Sequence, residues 1–477
     1  MSLDRCLPTL LLAAAAHVAA APAWAGNAFS SRIYITGATV IHPEREADAA
    51  IQRDATLAIH DGRLEMLESN VTLELPQGAT VIDARGKWVV PGLVDGHVHF
   101  FQSGNLYTRP DAADFSAVVP YAQEVARNQA RLEATFKIWL ASGVTGVIDV
   151  GGPFWNFDVR DHANHSAMAP RVAVAGPLIS MVERPQLDLG DPPIIGIETA
   201  EAARALVARE LERDPDFIKV WFIHQPGDDL AAQEAIVKAA ADAAHAAGKR
   251  LAVHATELVV AKAALRAGAD YLVHSVFDQP VDDEFIALMK ARSAFYCPTL
   301  FVVTGYPLAL SGQWRATPEE ARRADPEILA AMDDLEAIPK DRLPERVAKL
   351  MAAKTLPAPP RIAMENLRRL QAAGVPIVMG TDAGNIGTLH GPSIHREMQL
   401  MREAGLTPQE ILRSATTNGW HALRGTPDRG RIEVGKPANL VILDGDPLAD
   451  IANLARVHRV VRGSFVDDPE ALMESIR

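Results

Sequence analysis

Two imidazoles stand two residues apart at the end of an apolar run, in "VVPGLVDGHVHF" from Val89 to Phe100. Residues i and i+2 of a strand project from the same face, so His97 and His99 reach into one small volume. Such a pair reads equally well as two hydrogen-bonded core histidines or as two donors to a cation lying between them. Four more polar residues sit late in short apolar runs in the same way: Lys219 in "FIKVWF", His254 in "RLAVHAT", His274 in "YLVHSV" and Asp382 in "PIVMGTDAG". Any one of them is an ordinary polar strand end. Together they supply nitrogen and oxygen donors of the kind that hard or borderline divalent ions take, and they predict a metal site. A bound ion lowers the pKa of water from near 16 toward about 7, so the chemistry on offer is hydrolysis at neutral pH. Neither a G-x-S-x-G elbow nor a phosphate-binding glycine loop is present, and Cys297 in "FYCPTL" reads as a buried small apolar residue.

Donors scattered over nearly 300 residues need a scaffold that returns each of them to one place. From Pro91 onward short apolar runs alternate with alanine-rich helical segments, and eight runs qualify as strands: 92–100, 144–152, 171–179, 217–222, 250–256, 271–276, 295–300 and 376–384. Between them, stretches such as "QEAIVKAAADAAHAAGKR" repeat apolar residues at three and four and end on glycine. Eight such alternations predict an α/β fold, a (β/α)8 TIM barrel, whose active site lies at the C-terminal ends of its strands. Residues 26–91 read instead as short strands with turn signals such as Asp61-Gly62, and strand-like alternation returns in 426–477. The two ends are expected to meet in one small β-sandwich beside a barrel spanning 92–425. An insertion at about 301–374, rich in charged helical sequence, is expected either to cover the barrel mouth as a lid or to be a solvated decoration.

The chain has 477 residues, 47 basic against 60 acidic, for a net charge of −13 with no long block of either sign. This argues against nucleic acid or an anionic membrane surface as a partner and leaves a small molecule as the default, with a homo-oligomer compatible. Residues 1–25 differ: an apolar, small-residue run ends in Ala23-Trp24-Ala25, read as a secretory signal peptide cut before Gly26. The expected location is therefore periplasmic or secreted, with no stable membrane anchor. Cleavage leaves Cys297 alone, so no intramolecular disulfide can form despite the export route.

The runs "VVPGLVDGHVH", "IKV", "AVHA", "LVHS" and "GTDAG", with the tail "LRSATTNGWHALRGTPDRGRIEVGKPANLVILDGDPL", resemble the amidohydrolase superfamily, and more narrowly its imidazolonepropionase- and prolidase-like branch. The resemblance covers nearly all of the mature chain. It implies a distorted (β/α)8 barrel with a β-sandwich built from both termini, and two divalent metal ions, zinc being the expected element. His97, His99 and Asp382 would hold one ion and His254 and His274 the other. Lys219 matches the strand-four lysine that, in binuclear members, is carboxylated by CO2 and bridges both metals; a bare ammonium there would repel two cations. The competing reading keeps Lys219 unmodified in a one-metal site or pairs it with a substrate carboxylate. A metal-bridging hydroxide would attack the scissile carbonyl, with Asp382 taking its proton and passing it to the leaving nitrogen.

Candidate substrate contacts are His224 beyond the lysine strand, His390 after Asp382, and Tyr107 and Arg109 after the first strand. Asp95 is expected to support the first strand and His245 to be a plain helix residue. The loop "ISMVERPQLDLGDPP" lacks the glycine- and histidine-rich pattern often found there in this branch, and the second strand ends "VIDVGG" without the usual arginine. Both changes bear on the substrate and neither on the metal ligands. The function expected is an exported, metal-dependent amidohydrolase cleaving the C–N bond of a dipeptide or N-acyl amino acid. The alternatives are a mononuclear cyclic amide or lactone hydrolase, or a non-catalytic ligand-binding protein on the same scaffold.

Overall fold

Strand-forming runs at the two ends of the chain pair with each other. In the computed structural model, which describes residues 32–353, 357, 359–423 and 428–477, five N-terminal strands (Arg32–Ile41, Ile51–His60, Arg63–Ser69, Thr80–Asp83, Trp88–Pro91) share one eight-stranded sheet with Asn439–Leu443, Val457–Arg462 and Phe465–Asp467. The seam is antiparallel, with Val90 opposite Val441 and Val89 opposite Ile442. The expected signal peptide at 1–25 lies outside the described residues. In place of two separate sheets there is a fork: the first strand pairs with Thr80–Asp83 along one half and with Trp88 and Val89 along the other. Ile33, Ile35, Val40 and Leu57 from one terminus and Leu440 and Ile442 from the other close a single core around that fork.

Beyond Pro91 the chain builds parallel strands. Leu93–Val98, Val144–Asp149 and Arg171–Val174 form one sheet; Ile194–Gly196, Leu178–Ser180, Ile218–Trp221, Leu251–His254, Tyr271–Val273 and Phe295–Cys297 form, in that order, a second. Two expected strands are corrected. The run 171–179 is broken at Ala175-Gly176-Pro177, where the proline has no N–H to donate to a ladder, so its halves pair with different neighbours. The run 376–384 forms no regular strand, yet it lies between the last strand and the first. Tyr296 N donates to Pro376 O (3.0 Å), Gly96 N to Met379 O (2.9 Å) and His99 N to Ala383 O (2.9 Å). A side chain cannot be tolerated at its centre, since a Cβ on Gly380 would lie 2.5 Å from Cys297 Sγ and 2.9 Å from His97 Cβ.

The intervening helices follow their sequence signals. Leu230–Ala246 starts where Asp229 accepts hydrogen bonds from Ala231 N and Ala232 N, and it buries Ile236, Val237, Ala240 and Ala244 at helical spacing. Burying Ile236 and Val237 contributes about 1.5–3 kcal/mol each, and each alanine methyl about 0.8 kcal/mol. The insertion is no solvated decoration. Its helices Val302–Leu310, Pro318–Arg323, Pro326–Asp333 and Glu345–Ala353, with the turns between them, bury Leu310, Trp314, Met332, Leu335 and Val347. These residues pack against Leu106 and Phe115 from the loop after the first parallel strand and Ile386 and Leu389 from the segment after Asp382. The result is a roof with its own apolar core. Among the described residues no helix is long and apolar enough to cross a membrane.

Candidate metal centre

The six donors named from sequence line one cavity. His97 Nε2 lies 3.3 Å from His99 Nε2, and these atoms stand 3.3 Å and 3.2 Å from Asp382 Oδ1. Ligands at 2.0–2.1 Å in a tetrahedral shell are spaced by about 3.3 Å, so the three atoms have the edge lengths of one face of such a shell. Beside them, the His274 ring centroid is 4.6 Å from that of His97 and 4.4 Å from that of His254, and His274 Nδ1 is 3.8 Å from Asp382 Oδ2. Ligand atoms of His97, His274 and Asp382 all lie within 4.8 Å of one another. Strand register does the collecting: Lys219 pairs with Ala252, two residues before His254, and His254 pairs with Val273, just before His274, so three adjacent strands deliver the three donors.

Local chemistry favours the donor form of each group. Gly151 O can only accept, so its 2.6 Å contact puts the proton on His99 Nδ1 and leaves the Nε2 lone pair facing the site. Burial, then neighbouring positive charge, holds His97, His254 and His274 well below the ordinary histidine range, so these imidazoles are neutral at pH 7. Burial lowers Lys219 to about 7 even though Asp382 pulls the other way. Burial alone would raise Asp382; the close approach of the His99 and His274 rings and the charge of Arg109 outweigh it and hold the carboxyl below its ordinary range. The backbone is strained here, with φ of 74° at His274 and 62° at Asp382, left-handed values that cost about 1–3 kcal/mol each in a non-glycine residue. Asp95 is a support, as expected: it accepts from His97 N (3.1 Å), Thr381 N (3.0 Å) and Thr381 Oγ1 (2.6 Å). Cys297 is fully buried with its thiol pushed up, which suits an inert core residue.

The cavity holds about 530 Å³. Phe101, Leu178, Ile194 and Trp221 form its walls, and Val302, Tyr306 and Leu350 bring the roof down onto it. Of the four candidate substrate contacts, only Arg109 lines it. Tyr107 is turned into the roof, where its hydroxyl donates to Asp334 Oδ2 at 2.7 Å. His224 is tied through Nδ1 to Gln233 Oε1 (2.8 Å), and His390 lies stacked on Phe100 with Nε2 on Gln102 O (2.8 Å). In each case a neighbouring polar group engages the ring or hydroxyl, and none of the three lines the cavity.

Residues 88–466 match the amidohydrolase family model. The chain belongs to the amidohydrolase family. It is a hydrolase of carbon–nitrogen bonds, in a family that generally depends on metal. It is 28% identical over 419 residues to an imidazolonepropionase of Deinococcus deserti, covering 84% of this chain and 88% of that one. A Xaa-Pro dipeptidase with methionine bound in its active site is 22% identical and aligns over 92% of this chain and 100% of its own, with a TM-score of 0.67. A prolidase complexed with N-methylphosphonate-L-proline aligns over the same shares at 24% identity and a TM-score of 0.67.

This amidohydrolase has lining residues that its sequence pattern did not single out. Tyr306 and Arg346 come from roof helices, Asn385 from the turn after Asp382, and Trp221 from the lysine strand. Trp221 carried a signal, lying two residues beyond Lys219 and so on its face. The others did not, because contacts from roof helices and from an irregular turn have no periodicity to read.

Proposed function

We propose that this amidohydrolase is a binuclear, zinc-dependent enzyme that cleaves the amide bond of a dipeptide or N-acyl amino acid, on a (β/α)8 barrel carrying the eight-stranded terminal sheet. The observation that carries this reading is the triangle of His97 Nε2, His99 Nε2 and Asp382 Oδ1, with edges of 3.2–3.3 Å beside the His254–His274 pair. His97, His99 and Asp382 would hold one ion, and His254 and His274 the other. Divalent ions there supply a water of lowered pKa and polarisation of the scissile carbonyl. Lys219, with a pKa near 7, has the free amine needed to add CO2 and release a proton, and the resulting carbamate is the anion that two neighbouring cations require. Asp382 accepts the proton of the attacking water and returns it to the leaving nitrogen. The apolar walls and the roof line a space that accommodates a molecule of about two residues. The dipeptidase and prolidase likenesses support that size class. Export through the leader at 1–25 belongs to the same reading, and N-terminal sequencing of secreted protein should find Gly26.

The grouping of His97, His274 and Asp382 within 4.8 Å also suits a single ion, so metal counting decides between the two stoichiometries. The test joins elemental analysis of metal-loaded mature protein with a panel of dipeptides, N-acyl amino acids, cyclic amides and lactones. Two zinc ions per chain and turnover of open-chain amides are expected. One ion would overturn the carbamate bridge, and turnover confined to lactones or cyclic amides would overturn the substrate class.

A further inference from the structure

Arg109 lines the cavity, yet its guanidinium is already committed. Nε and Nη2 each donate to the Asp111 carboxylate at 2.7 Å, and Nη1 donates to Asn385 Oδ1 at 2.8 Å. Tyr306, from the first roof helix, donates to the same Asn385 oxygen at 2.5 Å. The other end of that amide, Nδ2, donates to Asp382 Oδ1 at 2.6 Å and to the Asp382 backbone oxygen at 3.2 Å. An amide can turn either end toward a neighbour, but an arginine has no acceptor. Arg109 therefore admits only the oxygen of Asn385, and the N–H must face Asp382.

Resting on the metal reading above, we propose that Asn385 is a positioning residue for Asp382 and that Arg109, clamped by Asp111, acts through Asn385 by dictating which end of the amide meets the carboxylate. The consequence is a carboxylate with two unlike oxygens. Oδ1 takes the amide N–H on the side of His97 and His99, while Oδ2 lies 3.8 Å from His274 Nδ1. Three separate segments converge on one amide: the loop after the first parallel strand, the turn after Asp382 and the roof. Asn385 is 2% exposed and Asp382 is 5% exposed, so neither hydrogen bond faces competition from bulk water.

A double-mutant cycle on metal affinity tests this without knowledge of the substrate. Zinc binding by the full-length protein is measured by chelator competition for wild type, Asn385→Ala, Arg109→Gln and the double variant, with the melting temperature of each metal-free protein recorded alongside. Asn385→Ala and Arg109→Gln are each expected to weaken zinc by roughly 10- to 100-fold, and the double variant to stay within about threefold of Asn385→Ala. Losses that multiply, or wild-type affinity in Asn385→Ala, overturn the proposal. Arg109→Lys keeps a donor-only group and is expected to bind zinc at least tenfold more tightly than Arg109→Gln. Equal affinities for those two overturn the proposal even if Asn385→Ala fails to fold. Wild-type protein that binds no zinc would overturn the metal reading and this inference together; zinc binding that is indifferent to Asn385 would overturn this inference alone.

Discussion

The cavity has a floor and a roof built on different physical terms. On the floor, His97, His254 and His274 are placed by strand register, and burial fixes their neutral form. On the roof, Val302, Tyr306 and Leu350 come from helices held by side-chain contacts, with an apolar core of their own around Trp314, Leu335 and Val347. Several polar links join floor and roof. One is the Tyr306–Asn385–Asp382 chain. Another is Glu397, fully buried, whose carboxyl oxygens accept from Leu300 N and Phe301 N at 2.8 Å each, at the start of the first roof helix. The floor is rigid because a backbone ladder defines it, whereas the roof can be tuned one side chain at a time. Chemistry should therefore fail with floor substitutions, and affinity or stability with roof substitutions.

The largest effect expected is on the floor. Asp382→Asn keeps the shape but cannot take a proton, and should lower kcat by about 10³- to 10⁴-fold with an unchanged near-ultraviolet circular dichroism spectrum. A variant retaining a tenth of wild-type turnover would break the distinction. Next comes the link at Glu397, which burial pushes up to about 8 against the two N–H donors. Because this folded-state value lies above the ordinary 4.5, its favourable contribution to stability is complete below about pH 4.5 and is lost as pH rises through 8. Between pH 5 and pH 9, wild type should lose on the order of 3 kcal/mol of unfolding free energy relative to Glu397→Gln, as read by urea denaturation. Equal slopes for both proteins would show that Glu397 does not titrate in this window. The smallest effect belongs to the roof alone. Leu350→Ala should raise KM by about five- to tenfold, the cost of a partly buried leucine, with kcat within about twofold of wild type. A fall in kcat with KM unchanged would mean that the roof shapes the chemical step.

The legibility of the molecule divides along the same line. His97 and His99 were readable because a strand has period two, and Lys219, His254, His274 and Asp382 because each is a polar residue set in a short apolar run. Arg109 was readable as a residue of interest but not in its role, since its partners Asp111 and Asn385 are 2 and 276 positions away and only the loops bring them together. Tyr107, His224 and His390 stand at sequence positions as suggestive as that of Arg109, yet neighbouring polar groups engage them away from the cavity lining. The broken run at 171–179 was foreshadowed by Gly176-Pro177, whereas the irregular path at 376–384 follows from close approach at Gly380 and left-handed backbone at Asp382.

Sequence by itself determined the donor set, the alternation of strand and helix that carries it, and the meeting of the two termini in β-structure, because periodicity and residue chemistry are local properties. Tertiary structure alone decided that the donors close to 3.2–3.3 Å, that the insertion is a roof, and that Asn385 turns its N–H toward Asp382. The physical reason is that spacing along a chain specifies which way a side chain can point, whereas the identity of its partner depends on which distant segment packs against it.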